Sequence, residues 1–267
     1  MIANKEHVKL LGQGIAMWNT WRKEHPYVLP VLNGANFGGA TLSQVNLSST
    51  NLSGANLSGT NLSGADLTRA NLSGADLAKA NLIGAKLGGA DLTRANLAGA
   101  NLSRANLAGA NLIGANLSCA YFIGANLSYA NLAGTNLNVT NLHTTYLAYT
   151  IFAWVDLSTV VGLETVTHKG PSSVDVKTVK LPQGDARSHF LRGVGFTDSF
   201  IDYLPSLFTT AIQYVSCSIS YANADEALAR RLCKDLQDKG VRCWLAPHGL
   251  RPGDAHCCLS ILSIAPG

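Results

Sequence analysis

Hydrophobic residues recur along this chain every five positions. Leu or Phe occupies residues 32, 37, 42 and each fifth residue onward to 152 and 157, which makes 26 consecutive pentads without an insertion. Two positions before the central residue stands a small side chain, and from Ala65 to Ala130 it is always alanine. Asn or Asp fills most of the places between, and Ser, Thr, Ala or Gly usually follows the central residue. The unit reads A-N/D-L-S-G, and self-similarity of this kind takes precedence over local propensity because it sets the architecture.

A period of five excludes the two common elements. On an α-helix successive leucines would step about 140° around the axis and cover every face. On a flat strand they would alternate between faces, leaving neither side dry. The leucines share an interior only if the backbone turns a corner once per pentad, with the central side chain and its small partner pointing inward. Stacked coils then bond to one another like parallel strands, about 4.8 Å apart. Alanine suits a narrow tube, which leaves little room beside the leucine.

This run resembles the pentapeptide-repeat family. The resemblance implies an all-β right-handed quadrilateral β-helix over residues 30–159, with four pentads in each coil. At that pitch the pentads would build about 6.5 coils, roughly 30 Å of solenoid. In one branch of the family the β-helix imitates duplex DNA and blocks topoisomerases, which demands rows of outward carboxylates. Here Asp66, Asp76, Asp91 and Asp156 face Arg69, Lys79, Lys86, Arg94 and Arg104, so mimicry is not expected. The whole-chain excess of +4 is spread thinly, and no basic patch predicts a nucleic-acid partner. The five repeat bases could still line one face, but they read as solvated charges that give solubility.

A stack has two open ends. From His7 to His25, Val8, Leu11, Ile15 and Trp18 lie at helical spacing and Pro26 ends the run, predicting an N-terminal capping helix within residues 1–29. The alternative is a membrane-surface helix, with Trp18, Trp21 and four basic residues in its favour. At the far end Thr135, Thr140, Thr145 and Thr150 replace alanine, while Tyr146 and Ile151 replace asparagine. The last coils should therefore be broader and stickier outside, suited to docking of the segment that follows.

Residues 160–212 read as a connector punctuated by Gly162, Gly170, Pro171, Pro182 and Gly184, with Phe200, Ile201 and Leu204 suggesting a short helix ended by Pro205. From residue 213 to 267 a partial α/β segment is expected. A β-forming run over 214–220 leads through a polar turn to a helix over 226–239, with Leu228, Leu232 and Leu236 on one face and Gly240 as its stop. A second strand, 241–245, then enters the loop 246–254. The stretches Ser216-Cys-Ser-Ile-Ser-Tyr221 with Asp225, and Gly240-Val-Arg-Cys-Trp244 running into Ala246-Pro247, are similar to the opening of a Toll/interleukin-1 receptor-type (TIR) domain. Pentapeptide repeats joined to such domains are a familiar bacterial arrangement, especially in cyanobacteria.

The likeness spans about 40 residues of a domain of about 140, a usual single-domain size, and Ser218 stands where the family usually has phenylalanine. Many members cleave NAD with a glutamate on a later helix, whereas no glutamate follows Glu226 here. A doubly wound sheet also needs more than two strands to bury both faces. The resemblance therefore carries over no catalytic or cofactor-binding residue and no cofactor. The tail 255–267 departs from the expected continuation, as a frameshift or early stop would cause; a domain swap in a dimer would restore the sheet.

Composition narrows the remaining possibilities. Of 267 residues, 13% are charged, 47% apolar and 7% aromatic, which argues against an electrostatically extended chain and against an aromatic-rich core. No stretch approaches the ~18 uncharged apolar residues of a membrane span, the N-terminus lacks the apolar core of a secretory signal, and the six cysteines show no disulfide-scaffold spacing. A reduced, cytoplasmic protein is expected. Cys243, His248, His256, Cys257 and Cys258 offer soft ligands, but their spacing fits no zinc pattern, so no metal is predicted. Ser218 and Ser220 lack the glycines of a nucleophile elbow, and Gly193-Val194-Gly195 lacks the third glycine of a dinucleotide loop.

The expected function is a noncatalytic scaffold or protein-interaction protein, in bacterial signalling through the TIR-like module. The loop after its second strand, with Trp244, Pro247, Leu250 and Gly253, would meet a protein partner or a second copy; neither nucleic acid nor membrane is expected as a partner. The rival readings are an NAD-cleaving enzyme completed by oligomerisation or a partner, and a degenerate fragment without activity.

Overall fold

The computed structural model describes residues 3–175, 178, 184–202, 216–221, 226–238 and 242–247. The chain divides into two compact units, Met1–Ile201 and Asp202–Gly267. In the first unit each pentad from Leu32 to Phe152 is one side of a square. Two residues after each central side chain, from Gly34 to Trp154, φ is positive, between 52° and 69°. The N–H of the third residue donates back to the central carbonyl, as from Ala100 to Leu97 at 3.0 Å. This is a type II turn, whose third position favours glycine. Glycine fills only part of that column; Arg69, Lys79, Val139 and Trp154 adopt the same left-handed conformation, at roughly 1–2 kcal/mol each.

The turns make a square because the ladder repeats every 20 residues, from Val31↔Asn51 through Asn116↔Asn136 to Asn141↔Val161, always in parallel. Central N–H groups donate to the coil above, as from Leu97 to the Asn116 carbonyl at 2.7 Å. Four faces result, led by Leu32, Phe37, Leu42 and Leu47, and each is continued 20 residues later. Nearly all the central and alanine side chains are buried.

The residue before the central one explains the asparagines. Its Oδ1 accepts the N–H two residues on, as at Asn51 from Ser53 at 3.0 Å, an Asx-turn that prepares the corner. Its Nδ2 is then free to donate to the coil below: Asn56 to Asn36 at 2.9 Å, Asn96 to Asp76 at 2.9 Å, Asn116 to Asn96 at 3.2 Å. Aspartate performs the first role but not the second.

The threonines that replace alanine lie inside. Thr140, Thr145 and Thr150 are fully buried, and their hydroxyls donate to the Leu117, Phe122 and Leu127 carbonyls of the coil below at 2.8–2.9 Å. Thr50 is equally buried but its hydroxyl has no partner. The matching carbonyl would belong to Tyr27, which is exposed and precedes the stack.

The single helix expected over 7–25 is instead two, α1 (Lys5–Gly12) and α2 (Ile15–Glu24), separated at Gly14 with φ 123°. Together they bond to first-coil groups that in inner coils would meet the coil beneath. Asn4 N–H donates to the Val31 carbonyl at 2.9 Å, and Val31 N–H to His7 Nδ1 at 3.1 Å. Trp18 Nε1 donates to the Asn46 carbonyl at 2.7 Å, Asn46 N–H to Asn19 Oδ1 at 2.8 Å, and Arg22 to the Ser48 carbonyl at 2.8 Å. Trp18, one of the two tryptophans that would anchor a membrane-surface helix, is fully buried in this contact.

The ladder outlasts the pentads. Strands β1 (Tyr146–Leu147) and β2 (Ile151–Phe152) pair in parallel with β3 (Thr167–His168) and β4 (Ser173–Val174), so part of the segment read as a connector forms a further coil. Its offsets grow to 21 residues at Tyr146↔Thr167 and 22 at Ile151↔Ser173, which is why the leucine period could not reveal it. Helix α3 (Asp185–Val194) packs there, with Phe190 edge-on to Phe152 at 5.6 Å and to His168 at 5.6 Å. A Cβ on Gly193 would fall inside the His168 ring, so only glycine allows this approach. Residues 198–202 are helical, beginning before the expected Phe200.

In the second unit, β5 (Ser216–Tyr221) and β6 (Arg242–Pro247) pair in parallel across helix α4 (Glu226–Asp238), a single βαβ turn with Ser216 opposite Arg242.

Candidate functional site

The inside of the solenoid is uniform, so any specificity lies outside. In the early coils the outward positions are mainly Asn, Ser, Thr and Gly. In the later coils they become aromatic and aliphatic: Tyr121, Tyr129, Val139, Tyr146, Tyr149, Ile151 and Val161 are all exposed, and Trp154 is 70% exposed. Register brings some of these together. Tyr129 and Tyr149 lie 20 residues apart on the corner after the fourth face, stacked with centroids 5.1 Å apart and planes at 19°. Tyr146 lies on that same face, and Lys169 Nζ stands 5.8 Å above its ring.

Beside this cluster, where the third face turns into the fourth, is a shallow cleft of about 430 Å³. It is lined by Arg104, Asn106, Gly124, Asn126, Tyr146 and Lys169, with no carboxylate. The five repeat bases do not line one face. Arg94, Lys79, Arg104 and Arg69 occupy four different corners, and Lys86 lies on the fourth face. The acids are equally dispersed: Asp91 on the first face, Asp76 and Asp156 on the second, Asp66 on the fourth.

A second cluster is internal. Both ring nitrogens of His168 are buried without a hydrogen-bond partner. Desolvation, and then the neighbouring His189, push its pKa down to about 4. His189 in turn bonds through Nε2 to the Val166 carbonyl at 3.0 Å. The His168 ring packs against Phe190 at 5.6 Å and lies 6.2 Å from that of His189.

Of the residues expected to form the contact loop, Trp244 and Pro247 fall in β6, in register with Ser218 and Tyr221. Leu250 and Gly253 lie outside the described residues, as do His248, His256, Cys257 and Cys258. Among the described residues no group of three His, Cys, Asp or Glu is placed to hold a metal ion. No described helix is long and apolar enough to cross a membrane. The surface cleft was missed in sequence because its members come from residues 20 and 40 apart and from Lys169, beyond the repeat. The decay of asparagine into tyrosine was its one visible sign.

A family model described as pentapeptide repeats matches residues 31–69, 56–94, 90–128 and 125–161. Among solved structures, a pentapeptide-repeat protein of the Arabidopsis thaliana thylakoid lumen is 35% identical over 35% of this chain and 68% of its own, with a TM-score of 0.31. One from Nostoc PCC 7120 is 44% identical over 32% of this chain and 67% of its own, TM-score 0.30. HetL, a pentapeptide-repeat protein involved in heterocyst differentiation regulation in Nostoc sp. strain PCC 7120, is 31% identical over 50% and 83%, TM-score 0.21. No curated protein sequence matches. With TM-scores this low, the likeness stands on the repeat match and the coil geometry rather than on the overlays.

Proposed function

The chain belongs to the pentapeptide-repeat proteins, right-handed β-helical solenoids, and from that premise we propose that it is a noncatalytic protein-interaction scaffold. The observation that carries this reading is the change of exterior along one solenoid: a polar early surface gives way to exposed Tyr129, Tyr149, Trp154 and Val139 over an unchanged core. Large exposed apolar side chains grouped on one end of a rigid support mark contact surfaces, and aromatic residues dominate binding energy at interfaces. In this reading α1 and α2 act as the cap over residues 1–29, ahead of the pentads of 30–159 and the connecting segment 160–212.

The TIR-like reading of 213–267 belongs to the same proposal. It rests on the residues of β5 and β6 quoted above, and it makes Trp244, Pro247, Leu250 and Gly253 a second contact surface, in bacterial signalling. Affinity capture with the full chain separates the two surfaces. Tyr129→Ser/Tyr149→Ser/Trp154→Ser should lose retained proteins or self-association while melting as the wild type does; Trp244→Ala/Leu250→Ala should lose a different set. An unchanged retained set in the first variant would overturn the solenoid surface, and in the second the tail.

A further inference from the structure

We propose that the cleft between the third and fourth faces is an anion-binding site that receives an acidic segment of a protein partner. The occupant's identity rests on the scaffold reading; the preference for anions does not. Two of the lining side chains, Arg104 and Lys169, are cations, and no lining residue is an acid. Neither cation is paired: the ion pairs among the described residues join His143 to Glu164 and Arg192 to Asp198. The Lys169 ammonium stands over the face of Tyr146, and among the described residues the Arg104 side chain has no hydrogen-bond partner.

The backbone sets where Arg104 leaves the solenoid. It occupies a left-handed corner with φ 58°, and its Cγ lies 3.8 Å from where a Gly124 Cβ would be. The arginine stem thus runs beside the glycine of the coil above, which brings the side chain to the cleft. Lys86, one coil below Asn106 on the same face, adds a third positive charge, and the acid on that face, Asp66, is one coil further down. The amide ladder is slack here: Asn126 Nδ2 reaches Asn106 Oδ1 at 3.5 Å, against 2.9 Å between Asn56 and Asn36. An amide so weakly engaged can turn to a carboxylate.

The shape selects among anions. An open groove along a solenoid face admits an extended chain, whereas small metabolites occupy enclosed pockets that bury most of their surface. An arginine fork beside a lysine matches acidic side chains, the recognition mode of acidic motifs. Charge-assisted bonds in a half-open site remain salt-sensitive.

Anisotropy of a labelled hexaglutamate peptide titrated with the full chain tests this. Binding should saturate, weaken as salt rises, and fall at least tenfold in Arg104→Gln/Lys169→Gln, a loss of about 1.4 kcal/mol or more. Lys79→Gln/Arg94→Gln removes the same charge from other corners and should stay within about twofold of wild type, since a cleft effect does not follow net charge. Equal losses in both double variants, or no binding at low salt, would overturn the proposal. Displacement of the peptide by inorganic phosphate at equal concentration would reassign the cleft to a free oxyanion and overturn the peptide assignment. The tyrosine variants probe the scaffold independently, so loss of capture there with peptide binding intact would sink that reading and not the cleft.

Discussion

The early and late coils share one interior and differ in everything they show to water. Inside, leucine stacks on leucine from Leu32 to Leu157, and the phenylalanine at 122 is fully buried without altering the 20-residue register. Outside, Asn, Ser and Gly yield to Tyr, Val and Trp. The dry column tolerates little because each buried group must fit against its copy in the next coil, whereas an outward side chain can change without displacing the core. Shape is therefore written in the repeat and specificity in its exceptions.

The largest test of that contrast is Leu97→Asp against Ile113→Asp. Leu97 is fully buried in mid-column and Ile113 is exposed. An unpaired charge in the column should cost more than about 5 kcal/mol and abolish the cooperative melt seen by circular dichroism, while the exterior change stays within about 0.5 kcal/mol. If both proteins melt alike, the column is not dry.

Next comes the N-terminal end. Trp18→Ala removes a fully buried ring and the donor to the Asn46 carbonyl, so about 3–5 kcal/mol of stability should go. Because coils contact only their neighbours, hydrogen exchange should accelerate around Asn46 and Leu47 and remain slow at Leu127. Uniform acceleration would mean that the helices stabilise the whole stack rather than its end.

The C-terminal counterpart is pH-dependent. The folded pKa of His168 is about 4 against an ordinary value of about 6.5, so the unfolded chain binds the proton first as pH falls. Its contribution to stability is complete above pH 6.5 and is lost between there and about pH 4. His168→Leu should flatten the fall in Tm across that window. A variant with the wild-type slope would place the titration elsewhere.

The smallest pair compares one substitution at two heights. Thr140 bonds to the coil below, whereas Thr50 has no acceptor beneath it. Thr140→Val should therefore destabilise by about 1 kcal/mol, and Thr50→Val should stabilise by about 1 kcal/mol or more, because it removes an orphaned hydroxyl. Valine fits, since Val45 already occupies the equivalent column position, fully buried. Equal signs in denaturant melts would contradict the stacking direction.

Much of this was legible in advance. A period of five dictates a corner per pentad, and the leucine and alanine columns named the core residue by residue. The left-handed corners were only half visible, because Arg69, Val139 and Trp154 adopt with strain what glycine adopts freely. The break at Gly14 was hidden because the apolar spacing runs straight through it. The extra coil at β3 and β4 was hidden because insertions there erase the period while backbone bonds persist. The cleft was illegible for a third reason: no local window contains both Arg104 and Lys169.

The 20-residue register can be read with one new thiol. Cys119 is exposed on the corner after the second face, and Gly99 holds the same corner one coil below, while Gly114 is one corner back along the chain. Neighbouring coils lie about 4.8 Å apart, within the Cα separation that a disulfide spans. Mild oxidation followed by peptide mapping should join Cys119 to the new cysteine in Gly99→Cys and leave it unjoined in Gly114→Cys. A bond formed in Gly114→Cys but not in Gly99→Cys would contradict the square, stacked coil.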